Sequence, residues 1–262
     1  NDFVIIDNRQ KITNLSKDQI IKICDRKFIG CDQLIIIKKS EISDASLEFY
    51  NSDGGTSGAC GNGTRCVANL LAKENNKNSI TLTTLSGNLK SKILEERIVS
   101  TEIGIGKTEW SEIPLSKNLN TNNLNIKITD EDNNEHFGGA AINVGNPHII
   151  FFVDNYNNFN IEKIGPEIEN HEFFPEKCNV TLATIINKKL IKVKVWERGA
   201  GLTKACGTAA CATAFAAKKN HLVENKVDIE FSTGKLSISI DQNKSIHMKG
   251  PVSDIKNIEI EI

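Results

Sequence analysis

The stretch Trp196-Glu197-Arg198-Gly199-Ala200-Gly201-Leu202-Thr203-Lys204-Ala205-Cys206-Gly207-Thr208-Ala209-Ala210-Cys211 is a glycine-punctuated loop. It delivers a cysteine to an alanine-rich segment, residues 209–218, of strong helix propensity. A second version stands earlier: Asn51-Ser52-Asp53-Gly54-Gly55-Thr56-Ser57-Gly58-Ala59-Cys60-Gly61-Asn62-Gly63, then an apolar-periodic run over residues 66–72. Cys60 and Cys206 are 146 residues apart. The same 146 separates Asn51 from Glu197, at the feet of the loops, and Gln33 from Asn179, each opening a strand. Asn1 and Asn146, each ahead of an apolar run, are 145 apart. Several coincidences at nearly one offset point to a duplicated domain. Each copy wraps strands around one helix with a cysteine at its N-terminus, and two facing copies set two cysteines across one cleft.

Working outward, the remaining chain alternates short β-branched runs with turn signals, which reads as strands. They fall at residues 2–7, 34–38, 47–50, 80–84, 88–94, 98–105, 126–129, 136–144, 149–153, 180–186, 191–197, 227–232, 235–240 and 246–249. Further helices are expected at 16–26, with Ser16 as N-cap, from Cys60 to about Lys73, and at 161–169. The asparagine-rich segment 114–125 reads as a linker or exposed loop near a domain boundary. The expected division is residues 1–107 with 251–262 around Cys60, and 108–250 around Cys206.

At 262 residues the chain is long enough for one large or two medium domains with real interiors. A net charge of −1 without a long basic run lacks the footprint of a nucleic-acid binder. Its apolar runs are far shorter than the ~20 residues a bilayer-spanning helix needs. Seven cysteines, an odd number, argue against a secreted disulfide framework and for a reduced, cytoplasmic protein. No signal peptide is visible; because the sequence starts at Asn1 and not at Met, a targeting segment ahead of it stays open.

A helix N-terminus carries about half a positive charge and N–H groups without internal partners. Such an end is expected to lower a thiol pKa and to hold a substrate carboxylate. A carboxylate clamped by two opposed helix ends leaves its α-carbon between two sulfurs. One thiolate then removes the α-proton while the opposite thiol protonates the other face, with no cofactor. Cys24, Cys31, Cys66, Cys178 and Cys211 read instead as small buried hydrophobes. The spacings Cys60-x5-Cys66 and Cys206-x4-Cys211 do not suit zinc, and no metal is expected. His148 follows Asn146-Pro147 and is read either as structural or as part of the site.

Taken in order, Asn1-Asp2-Phe3, Asp32-Gln33-Leu34, Asn51-x-Asp53-Gly54, Cys60-Gly61-Asn62-Gly63-x-Arg65-Cys66, Gly145-Asn146-Pro147-His148 and Glu197-Arg198-Gly199-Ala200-Gly201-x-Thr203-x-Ala205-Cys206-Gly207-Thr208 resemble the diaminopimelate epimerases. Those enzymes interconvert LL- and meso-2,6-diaminoheptanedioate in lysine and peptidoglycan biosynthesis, without pyridoxal phosphate. The resemblance implies an α+β fold of two pseudo-symmetric domains, each a barrel-like, mainly antiparallel β-sheet around a central α-helix. It implies Cys60 and Cys206 as the acid–base pair, and Gly61, Asn62, Gly207 and Thr208 as backbone donors to the reacting carboxylate. Asn51, Asn146, Asn179 and Arg198 hold the distal amino-acid end. Asn1, Gln33 and Glu197 match further substrate contacts, and His148, with Glu197, supports catalysis. A small-molecule substrate, no cofactor and a homodimer complete the expectation.

Some positions depart from the pattern. Gly55-Thr56 stands where Ser-Glu is common, Ala209 where glycine is usual, and Lys256 where an aromatic associated with dimer contact is expected. A strand and a glycine turn are expected ahead of Asn1. Two other readings compete. A proline or hydroxyproline racemase shares the two-cysteine logic, but favours Cys-Gly-His over Cys60-Gly61-Asn62 and has no need of Arg198. A thiol redox protein would use Cys60 and Cys206 as a disulfide switch.

Overall fold

The computed structural model describes residues 2–58 and 60–259. It divides into two compact units: the described residues up to Glu102 together with those from Lys249 onward, and Ile103–Met248. The chain runs β1 (Phe3–Asp7), α1 (Lys17–Cys24), β2 (Gln33–Lys38), β3 (Ala45–Asn51), β4 (Thr56–Ser57), α2 (Gly61–Asn75), β5 (Ser79–Thr84), β6 (Gly87–Glu95) and β7 (Ile98–Ile105). There follow β8 (Ile126–Thr129), β9 (Glu135–Gly138), β10 (Ala140–Asn143), β11 (Pro147–Phe152), α3 (Ile161–Glu169), β12 (Asn179–Asn187), β13 (Leu190–Glu197), β14 (Gly201–Thr203), α4 (Gly207–Lys219), β15 (Lys226–Phe231), β16 (Gly234–Ile240) and β17 (Ser245–Pro251).

The internal wiring of the units is the same. In the first, β1 pairs parallel to β2 through the α1 crossover, β2 antiparallel to β3, and β3 parallel to β5. In the second, β11, α3, β12, β13 and β15 repeat those pairings in order. Registers match too: Leu34 faces Tyr50 and Val180 faces Trp196, each shifted by 146. The turns after β3 and β13 close with equivalent bonds, Gly54 N–H to Asn51 O at 2.9 Å and Ala200 N–H to Glu197 O at 3.0 Å. The short strands β4 and β14, not foreseen in the glycine loops, then fold back on β3 and β13. Strand pairing in each unit is therefore mixed, with parallel crossovers among antiparallel pairs.

Central strands are buried on both faces, which explains their nearly continuous apolar runs. In β2, Ile35 and Ile37 join Phe49, Val67 and Leu71 on the α2 side, while Leu34 joins Ile20 and Ile23 of α1. In the second unit Val193 and Val195 pack with the α4 alanines, and Phe151, Val180 and Leu182 pack with Ile161, Ile164 and Ile168 of α3. Fully burying a side chain such as Phe49 stabilises by about 1.5–3 kcal/mol. Every residue of α4 from Ala209 to Ala217 is buried. A helix apolar all round belongs inside its sheet, and alanine lets strands approach closely.

Ser16 caps α1 in a reciprocal box with Gln19, although the helix stops at Cys24. The single strand expected over residues 136–144 is two strands, broken at Gly139. There φ is +103°, and a Cβ would lie 2.7 Å from Ile149 Cδ1, so only glycine turns the chain. The asparagine-rich segment does not separate the units. Leu115 and Leu124 are buried in the second unit's core, and Ser116 N–H and Leu124 N–H bond Phe173 O and Gly139 O. Among the described residues no helix is long and apolar enough to cross a membrane.

Candidate active site

In the first unit, Gln33 opens β2 and Asn51 ends β3 as register partners, and Gln33 Nε2 donates to Asn51 Oδ1 at 2.9 Å. Past the β3–β4 turn, Cys60 is the N-cap of α2 with extended backbone (φ −137°, ψ 109°). Its Sγ accepts from Gly63 N–H at 3.5 Å, and Gly61 and Asn62 occupy the first helical positions. Gly63 is required for space: a Cβ would sit 2.7 Å from Ile35 Cδ1 and 3.0 Å from Phe49 Cε1. Arg65, one turn on, is buried and donates through Nη2 to Asn62 Oδ1 at 2.9 Å.

In the second unit Cys206 caps α4 with nearly the same backbone (φ −139°, ψ 116°). It is buried, with Thr208 Oγ1 at 3.4 Å from its Sγ. Asn179, at the start of β12, ties two loops together: its Nδ2 donates to Pro147 O at 2.9 Å, and its Oδ1 accepts from Arg198 N–H at 3.0 Å. His148, its register partner on β11, is fully buried, with Nε2 2.9 Å from Asn146 Oδ1. With the amide oxygen as acceptor, Nε2 is the donor, and Nδ1 has no partner among the described residues. Arg198 Nη1 donates to Glu176 O at 2.8 Å, one of the five donors a guanidinium carries. Asn1 lies outside the described residues. The others fall into one group per unit: Gln33, Asn51, Cys60, Gly61 and Asn62, and then Asn146, His148, Asn179, Glu197, Arg198, Cys206, Gly207 and Thr208.

The electrostatics correct one expectation. Burial pushes the Cys60 thiol up to about 11, although N–H groups of Gly63 and Asn62 and the Arg65 charge pull the other way. Burial likewise raises Cys206 well above its usual value, and the Glu197 carboxylate beside it holds the proton on sulfur more firmly. The helix ends do favour thiolate, but desolvation outweighs them. Burial, with a smaller contribution from Arg198, lowers His148 to about 3, so its ring is neutral at physiological pH. Of the cysteines read as core, Cys24, Cys31, Cys178 and Cys211 are buried, and Cys66 is half-buried.

The sequence model described as diaminopimelate epimerase matches residues 1–109 and 140–255. The diaminopimelate epimerase of Pelagibacter ubique (strain HTCC1062) is 70% identical over 262 residues, covering 100% of this chain and 96% of the relative. The chain belongs to the diaminopimelate epimerase family. A second relative of that description, from Acidiphilium cryptum (strain JF-5), is 38% identical, covering 100% of this chain and 93% of its own length. Among solved structures, a phenazine biosynthesis protein of the PhzF family from Bacillus anthracis has a TM-score of 0.66 at 14% identity, covering 95% of this chain and 90% of its own. A hydroxyproline epimerase from Agrobacterium vitis gives 0.63 at 12%, covering 89% and 76%. These distant likenesses speak to the fold, two pseudo-symmetric α+β halves. The epimerase family is an isomerase family, and its match passes over residues 110–139, which hold the asparagine-rich loop and the β8–β9 hairpin.

Two residues outside the candidate set belong to the local architecture. Arg65 carries a positive charge that favours ionisation of Cys60. Glu169 ends α3 and accepts from Trp196 Nε1 at 2.7 Å and Gly199 N–H at 3.1 Å. Arg65 stands within a quoted motif, so only its role was hidden. Glu169 lies 30 residues before Gly199 and carries no local signal.

Proposed function

We propose that this epimerase interconverts LL- and meso-2,6-diaminoheptanedioate without a cofactor, with Cys60 and Cys206 as its acid and base. The observation that carries the reading is the pair of cysteine N-caps, alike in backbone and in flanking strand register, in a chain of this family. The substrate's reacting carboxylate takes N–H groups of Gly61, Asn62, Gly207 and Thr208. One thiolate takes the α-proton, the C–H electrons pass into the carboxylate-stabilised carbanion, and the opposite thiol gives its proton to the other face. The enzyme then holds its proton on the other sulfur and exchanges it with solvent. Donors at the carboxylate stabilise that developing charge. Asn51, Asn146, Asn179 and Arg198 recognise the distal end, Asn1, Gln33 and Glu197 make further substrate contacts, and Arg198 suits a carboxylate held bidentately.

The two thiols are not equivalent. Arg65 and helix N–H groups favour ionisation of Cys60, whereas Glu197 favours protonated Cys206. On this reading Cys60 is the sulfur that ionises more readily, and the thiolate that starts the reaction forms there. Neutral His148 holds Asn146 through Nε2 rather than carrying the migrating proton. Free thiols suit a reducing cytoplasm, and a homodimer completes the proposal, with Lys256 in place of an aromatic at the expected contact.

The hydroxyproline epimerase likeness keeps proline-type substrates as the second reading, which Asn62 and Arg198 disfavour. The deciding experiment incubates reduced enzyme in D2O with LL-diaminopimelate or proline, with no pyridoxal phosphate. Deuterium entry at the α-carbon of diaminopimelate alone is the expected result. Turnover of proline alone would decide for the racemase.

A further inference from the structure

The second unit contains a buried carboxylate that the proton transfers do not use. Glu169, the last residue of α3, is only 6 % exposed. A carboxylate stays buried when its oxygens are satisfied, and here both are. Oε2 accepts from the indole Nε1 of Trp196 and Oε1 from the backbone N–H of Gly199. Those two donors flank Glu197 and Arg198 in sequence, so one carboxylate holds both sides of the corner that carries them. The same helix supplies the surface on which the corner rests. A Cβ at Gly165 would come within 2.4 Å of Trp196 Cγ, so the indole lies directly on the helix backbone. Asn179 Oδ1, on the Arg198 N–H, is a third tie.

A guanidinium recognises a carboxylate bidentately only when its plane is presented in one orientation. Arginine has a long side chain, and its aim depends on where its backbone is fixed. Displacement of a binding group by about 1 Å can cost up to 100-fold.

We propose that Glu169 is a positioning residue for recognition of the substrate's distal end. By clamping Trp196 and Gly199 across the corner, its carboxylate fixes the backbone from which Arg198 reaches the substrate. The inference rests on the role given to Arg198 under the proposed function. It is not part of the acid–base machinery.

The test uses the full chain, reduced, with Glu169→Gln and Trp196→Phe variants compared by steady-state kinetics on LL-diaminopimelate. Glutamine keeps one acceptor oxygen and turns an NH2 group toward the other donor, which loses one charged bond. E169Q is expected to raise KM about tenfold with kcat within about threefold, and to leave the pH profile of kcat unchanged. A purely structural residue would lower the melting temperature or kcat and leave KM alone, so that pattern overturns the proposal. If E169Q does not fold, W196F removes the indole donor together with part of the ring packed on α3, and is expected to raise KM by about threefold; an unchanged KM there overturns it equally. Wild-type enzyme inactive on diaminopimelate would overturn the proposed function and this inference together. Wild-type turnover with unchanged KM in folded E169Q overturns Glu169's role alone.

Discussion

Cys60 and Cys206 show how far a side chain's chemistry is set by what surrounds it. Both were legible as reactive candidates, because each follows a glycine loop and opens a helix in duplicated contexts. Their proton affinities were not legible. A helix N-terminus is a local property and argues for thiolate, whereas burial is a tertiary property and here outweighs it. The consequence is measurable. With the Cys60 thiol near 11, its thiolate fraction grows about tenfold per pH unit below that value. The kcat/KM of the free enzyme is therefore expected to climb steeply from pH 7 to 9, by up to about tenfold per unit, and to fall only when both sulfurs are ionised. Initial rates across that range check it, and a flat profile would contradict it. The same shift acts on stability with a definite sign. A thiol whose folded pKa exceeds its unfolded value near 9 contributes stability that is complete below 9 and is lost as pH rises through about 11.

The elements that matter most are the two cysteine-capped helices, and their first turns differ in one instructive way. Gly63 of α2 abuts Ile35 and Phe49, which face each other across β2 and β3. Its counterpart in α4 is Ala209, where glycine was expected. There the corresponding pair is Thr181 and Val195, both smaller, and Ala209 packs with no exposed surface. Gly63→Ala is expected to cost about 1–3 kcal/mol by overpacking, read from urea unfolding. It should also lower kcat, because Gly63 N–H is bonded to the Cys60 sulfur. Undiminished stability and rate would show that the first turn has room to give. Most strands were legible from β-branched runs, since burial on both faces demands them. The β4 and β14 strands were hidden because Gly and Thr in a loop do not announce pairing. Of the two readings of the asparagine-rich stretch, exposed loop fits and linker does not: most of its residues are exposed, but it lies inside the second unit and two buried leucines anchor it. Glu169 was invisible because its partners come from a distant strand and turn.

At the scale of the whole molecule, one architecture is used twice. The 146-residue offset first seen between cysteines extends to strand register, turn closure and helix capping. Family membership agrees with the resemblance carried by the motifs, and the matched region takes in both cysteines. A duplicated fold with one helix-capping cysteine per half has a plain functional meaning if each of those sulfurs serves one face of the α-carbon. The direct measurement follows the α-hydrogen of LL- and meso-diaminopimelate in D2O for reduced wild type, Cys60→Ala and Cys206→Ala, each checked to be folded. Wild type is expected to place solvent deuterium on the inverted carbon of the first product formed. Each single variant is expected to lose interconversion by at least about 100-fold, the lower range for a positioned acid or base. Near-wild-type interconversion by either variant would contradict the two-cysteine account.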